Sequence, residues 1–126
     1  MKFLMIMNIN PAIWDALTEA ERDVVTSGHG EFMATVRASG ELIDTVALAE
    51  PAKSAVVRVQ NGAPVVTDGP FVESKEFLGG YYFIECADQA RAYELAAMIP
   101  DAAVPGAGVE VRPVVFSADL TSEGPE

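Results

Sequence analysis

The chain predicts a mixed α+β fold, and three patterns in its 126 residues predict it. A strand-like apolar run opens the chain and another closes it. Each half pairs such strands with one helix, giving β-α-β twice. Between the halves sit two short β-like runs around Asn61-Gly62, the strongest short hairpin signal. Crossover helices at both ends of an otherwise antiparallel pattern define a ferredoxin-like βαβ-βαβ sandwich, here with an inserted β-hairpin.

The elements follow in order. Lys2 to Ile9 is apolar on both faces, as expected of a central strand. Thr18 and Glu21 form a capping box that opens a helix ending near Gly40. Val25, Phe32, Met33 and Val36 share one face of it. Gly28 and Gly30 each weaken this helix by about 1 kcal/mol relative to Ala, and they permit close backbone approach or a break. Glu41 to Leu48 reads as a second strand, and Ser54 to Gln60 with Ala63 to Thr67 as the hairpin. A strand from Gly80 to Cys86 follows. Asp88 caps a second helix, Gln89 to Ile99, which Pro100 stops. Asp101 to Gly108 reads as loop, and Val109 to Phe116 as the last strand. The domain spans 1–117, and 118–126 forms a polar tail without periodicity, expected to be flexible.

Composition removes several classes of function. Nineteen acidic residues against eight Lys and Arg give a formal net charge of -11. Nucleic acid and anionic membrane surfaces need clustered cations, so neither is an expected partner. No apolar run is long enough to span a bilayer. Met1 to Asn10 superficially resembles a signal-peptide core, but Asn8, Asn10 and Pro11 interrupt it and no small-residue cleavage site follows. Cys86 is the single cysteine and reads as an inert core thiol. With one His and one Cys, no structural zinc site is expected, and no metal or cofactor. The cysteine usage fits a cytoplasmic protein.

The candidate chemistry lies in four places. Thr67 to Tyr81 packs four turn-forming residues and four charges between two strands, and loops on a rigid scaffold carry binding groups. Within it, Asp68 suits an Asx-turn, Gly69 a positive φ, Pro70 a fixed chain direction, and Phe71 an anchor in the core. A structural turn accounts for these residues. The functional alternative makes Asp68 a carboxylate at a cleft mouth, with Glu73 and Lys75 beside it; Glu76 reads as part of a solvated charge run. His29, the only histidine, lies on the apolar stripe of the first helix and should face the sheet. It is either a satisfied core residue or a general acid–base whose orienting carboxylate is Asp68. Arg112 shares a strand face with Glu110. It is either half of a structural ion pair, with Glu110 or Glu85, or a guanidinium that holds a ligand carboxylate. Tyr81, Tyr82 and Phe83 fill core or interface.

Asp68-Gly69-Pro70-Phe71, with Glu73, Lys75-Glu76, Leu78-Gly79-Gly80-Tyr81 and the later Glu110-Val111-Arg112-Pro113, resembles the DGPF family of YCII-related proteins. The resemblance covers nearly the whole chain. It implies a ferredoxin-like fold that dimerises as an α/β barrel. It also implies an active-site pair of a helix His, matched by His29, and an Asp, matched more loosely by Asp68. DGPF-type proteins have been linked with sigma factors of transcription.

Two functions follow as expectations. The first is a small-molecule enzyme with a cleft between the first helix and the sheet. There His29 moves a proton, Asp68 orients it, and Arg112, Glu73, Lys75 and Tyr81 contact a small polar substrate. The second is a non-catalytic ligand-binding or regulatory module. In both the chain forms a homodimer. Phe3, Met5 and Met7 point to one sheet face and Leu4 and Ile6 to the other, so a second copy is the economical cover for the face without helices.

Overall fold

The computed structural model describes residues 1–70 and 74–118. The strands are β1 (Lys2–Ile9), β2 (Leu42–Ala47), β3 (Ala55–Gln60), β4 (Ala63–Asp68), β5 (Phe77–Glu85) and β6 (Val109–Pro113). The helices are α1 (Pro11–Asp15), α2 (Glu19–Ser39) and α3 (Gln89–Met98). The main sheet has the order β2-β5-β1-β6, all neighbours antiparallel. That order and the two crossover helices make the chain a ferredoxin-like α+β sandwich. β3 and β4 form a separate two-stranded ribbon.

Local chemistry sets the element ends. In α2 the Thr18 hydroxyl accepts from the Glu21 N–H at 3.1 Å, and the Glu21 carboxylate accepts from the Thr18 N–H at 2.8 Å. This reciprocal cap satisfies two donors that the first helical turn leaves free. The helix runs unbroken through Gly28 and Gly30 to a left-handed Gly40. The ribbon turns at Asn61 and Gly62, both with positive φ (53° and 76°), as a type I′ turn requires.

Three boundaries differ from the sequence reading. A short helix, α1, forms at Pro11, where the Asn10 side chain accepts from the Ala12 N–H. β5 begins at Phe77, three residues before Gly80, because Phe77 and Leu78 pair with Ile9 and Asn8 across a register shift in β1. β6 ends at Pro113, short of Phe116, although the Val114 N–H still bonds to the Lys2 carbonyl at 2.9 Å. Phe71, proposed as a core anchor, and the tail from 119 onward lie outside the described residues.

The core lies between the sheet and the two long helices. Phe3, Met5, Met7, Tyr82 and Ile84 from the sheet meet Phe32 and Val36 from α2 and Ala92 and Leu95 from α3. Each large side chain buried there contributes roughly 1.5–3 kcal/mol. The alternation in β1 puts Leu4 and Ile6 on the opposite face, as expected. Cys86 is buried, and desolvation pushes its thiol up, as befits an inert core residue.

Candidate active site

α2 carries His29 into the space over the sheet, because His29, Phe32, Met33 and Val36 fall on one helical face. β5 supplies Tyr82, which is opposite Met5 on β1 and Thr45 on β2 and so points to the helix side. Phe32 packs edge-on to the Tyr82 ring at 4.7 Å between centroids and holds it in place. Pro100 ends α3 and begins a short 3-10 turn, Pro100–Ala103, that carries Asp101 inward.

The three side chains form a chain of hydrogen bonds. His29 Nε2 lies 2.7 Å from Asp101 Oδ1, and His29 Nδ1 lies 2.6 Å from the Tyr82 hydroxyl. A carboxylate only accepts, so Nε2 carries the proton; in the neutral ring Nδ1 then accepts from the Tyr82 O–H. Asp101 is 2 % exposed and is the buried charged residue of the described core, so its partner is a requirement rather than an ornament. The His29 side chain keeps 26 % of its surface open. Burial, with the Asp101 charge second, pushes the Tyr82 hydroxyl up to about 12.

Gly28 is what lets Asp101 come this close. A Cβ on Gly28 would stand 2.5 Å from Cγ of Pro100, the neighbour of Asp101. The glycine beside His29 therefore seats the turn that supplies its carboxylate, with no break in the helix. Gly30 has no such neighbour within 4 Å of its Cβ position.

The cluster forms one wall of a cavity of about 450 Å³. The rest of the lining is mostly apolar: Met7, Ile9, Trp14, Met33, Val46 and Ala47 among others, with Thr45 the further side chain that bears a hydroxyl. Such a volume and such walls suit a small organic molecule with a polar group at one end. No group of three or more His, Cys, Asp or Glu among the described residues is placed to hold a metal ion.

The residues singled out from sequence are distributed differently. His29 faces the sheet, as expected. The carboxylate at its ring is Asp101 and not Asp68. Asp68 is exposed at the end of the ribbon, paired across the ladder with Ala55, and does not line the cavity. Arg112 pairs with Leu4 across the ladder, on the face away from the helices, and forms an exposed ion pair with Glu110. Tyr81 alternates with Tyr82 and shares that outer face; its hydroxyl reaches Asp44 at 3.4 Å. Lys75 is exposed and also outside the cavity, and Glu73 lies outside the described residues. Arg112, Tyr81, Lys75 and Asp68 therefore do not join His29 within one chain.

Sequence reasoning missed Asp101 and gave Tyr82 only a packing role. A signal for Asp101 did exist. It is a lone acid between Ile99-Pro100 and Ala102-Ala103-Val104, and an acid in an apolar stretch needs a partner.

Comparison with known proteins identifies the chain at the level of family. Over 78 residues the chain is 36% identical to an uncharacterised protein of Rhizobium meliloti (strain 1021), a match covering 62% of this chain and 63% of that protein. The model of the YCII-related domain matches residues 1–117, the sheet, the helices and the whole His29 cluster. The chain belongs to the YCII-related domain family.

Proposed function

We propose that the protein is a small-molecule enzyme that moves a proton by general acid–base catalysis in the cavity between α2 and the sheet. One observation carries this reading: a histidine with a buried carboxylate on one ring nitrogen and a tyrosine hydroxyl on the other forms the polar wall of an otherwise apolar cavity. An imidazole near neutrality serves as both base and acid, and the carboxylate fixes its tautomer and stabilises the imidazolium. The apolar lining favours a mainly apolar molecule with one polar group over the small polar ligand expected from sequence.

The working form in this reading is a homodimer. A two-stranded ribbon is marginal by itself. Yet Val57, Val59 and Val66 of β3–β4 are more than 60% exposed and, by ladder register, share one face with Pro64. A second copy covering this ribbon and the outer sheet face would remove that surface from water.

The test is a screen of small hydroxyl and carbonyl compounds by thermal shift, followed by assay of each binder for conversion. A true substrate should be converted at least about 100-fold more slowly by His29→Ala and by Asp101→Ala, whereas Asp68→Ala should match wild type. Wild-type rates in His29→Ala refute the acid–base role. Compounds that stabilise the fold and are never converted favour a binding or regulatory module instead.

A further inference from the structure

His29 offers a ligand no free ring nitrogen: Nε2 is engaged by Asp101 and Nδ1 by Tyr82. A molecule in the cavity reaches either nitrogen only by displacing one of these partners. The Tyr82 hydroxyl is different. It donates its single hydrogen to Nδ1 and still has lone pairs to accept with. Both Tyr82 and His29 line the cavity.

We propose that Tyr82 is the catalytic residue that meets the ligand's reactive atom, relaying its proton to His29, and that the ligand is an apolar molecule bearing one weakly acidic hydroxyl, a phenol or an enol. The inference rests on the acid–base reading of the same site. The ligand must be a donor, because the Tyr82 donor is already spent on Nδ1. The step balances. The ligand O–H proton passes to the Tyr82 oxygen as the Tyr82 proton passes to His29 Nδ1. The ligand is left as an oxyanion, Tyr82 is again a neutral phenol, and His29 is an imidazolium opposite Asp101. The reverse transfer returns the proton. Burial and the Asp101 charge keep Tyr82 protonated at rest, so it acts as a carrier of protons and not as a standing phenolate. The titratable groups facing it are His29 from α2 and Asp101 from the Pro100–Ala103 turn. Met7, Ile9, Trp14, Met33 and Val46 supply the surface for the ligand's apolar body.

Para-nitrophenol tests the relay, because its absorbance separates phenol from phenolate. It is titrated, at a pH where the free compound is protonated, into the wild type, Tyr82→Phe and His29→Gln. His29 is the single histidine, so its ring nitrogens are followed together in long-range ¹H–¹⁵N spectra. The wild type should give a saturable phenolate band while Nδ1 becomes protonated. Tyr82→Phe should lose the band and bind about tenfold more weakly, as for one lost hydrogen bond. A band of wild-type size in Tyr82→Phe, with the same Nδ1 response, overturns the relay: the ligand then meets His29 directly, and the acid–base reading stands. A band that persists in His29→Gln removes the acid–base reading itself. No saturable band in the wild type overturns the ligand class. The wild type alone provides a check independent of the variants' folding. Bound para-nitrophenol should cross-relax with the Tyr82 Hε protons, and contacts to His29 ring protons without any to Tyr82 overturn the proposal.

Discussion

Gly28→Ala asks whether one missing methyl group holds the site together. The new Cβ would lie 2.5 Å from Pro100 Cγ, and a relaxed carbon–carbon contact needs about 3.5–4.0 Å. Pro100 is a ring at the head of a turn and cannot swing aside, so the turn itself must retreat by about 1 Å. Asp101 is the next residue. Its 2.7 Å bond to His29 would stretch towards about 3.7 Å, beyond hydrogen-bonding range. The free-energy effects oppose one another. Alanine gains about 1 kcal/mol of helix propensity. Overpacking costs about 1–3 kcal/mol, and loss of a hydrogen bond to a charged group about 1.5–3 kcal/mol. The net is a destabilisation of about 1.5–5 kcal/mol. Gly30→Ala is the internal control: the same helix and the same propensity gain, with open space at its Cβ. It should stabilise by about 0.5–1 kcal/mol. Urea unfolding gives both numbers. The ¹⁵N spectrum of His29 reports the site directly, and Gly28→Ala should lose the fixed Nε2–H tautomer that Gly30→Ala retains. If the two variants are equally stabilised and their His29 spectra coincide, Gly28 does not seat the turn.

Tyr82→Phe should be less stable than wild type at neutral pH by about 1 kcal/mol, for one hydrogen bond. The order should reverse in alkali: the folded-state value near 12 lies above the ordinary 10.0, so the wild type is fully stabilised below pH 10 and loses about 2–3 kcal/mol as pH rises through 12, a loss the variant escapes. Unfolding curves that never cross between neutral pH and pH 12 would show that Tyr82 is not buried as described. The Glu41 carboxyl is held below its ordinary 4.5 chiefly by the Arg91 guanidinium, against the opposing effect of burial, with bonds of 2.9 and 3.0 Å. Its contribution is present above pH 4.5 and lost as pH falls through the lowered value, so acid unfolding monitored by circular dichroism should be shallower in Glu41→Gln. Paired Val57→Asp and Val66→Asp changes put charge on the exposed face of the ribbon. Sedimentation should show a dimer in the wild type and a monomer in the double variant; a monomeric wild type refutes the proposed assembly.

What the sequence made legible was local. The Thr18–Glu21 box, the Asn61-Gly62 turn, Pro100 as a stop, and the alternation in β1 each act over a few residues and appear where expected. The inward direction of His29 was legible because helical periodicity fixes it relative to Phe32 and Val36. Its partner was not. Asp101 is 72 positions away, and nothing local distinguishes an acid turned into the core from one turned to solvent. The Asp68-Gly69-Pro70-Phe71 run drew attention through its density of turn residues and charges. Density of turn chemistry marks a turn: Gly69 has a φ of 97°, and its N–H bonds to the Ser54 carbonyl at the root of the ribbon. Arg112 and Tyr81 were misplaced for different reasons. For Tyr81, a strand apolar on both faces gives no parity by which to choose which side faces the cavity. In β6 the alternation of Val109 and Val111 with Glu110 and Arg112 already set Arg112 on the outer face.

The position of the cluster argues against a purely structural role. A buried ionic or polar group is weak evidence of stability, since apolar residues of similar volume often serve as well or better. Aliphatic side chains at positions 29, 82 and 101 would need no polar partners in the core. The chain instead gives up helix propensity at Gly28 to bring a carboxylate to the histidine. It leaves a quarter of the histidine surface open to a cavity whose other walls are mostly apolar. Two local concessions, a glycine in mid-helix and a buried acid, thus converge on one imidazole. Sites where local rules are broken together are where function is expected.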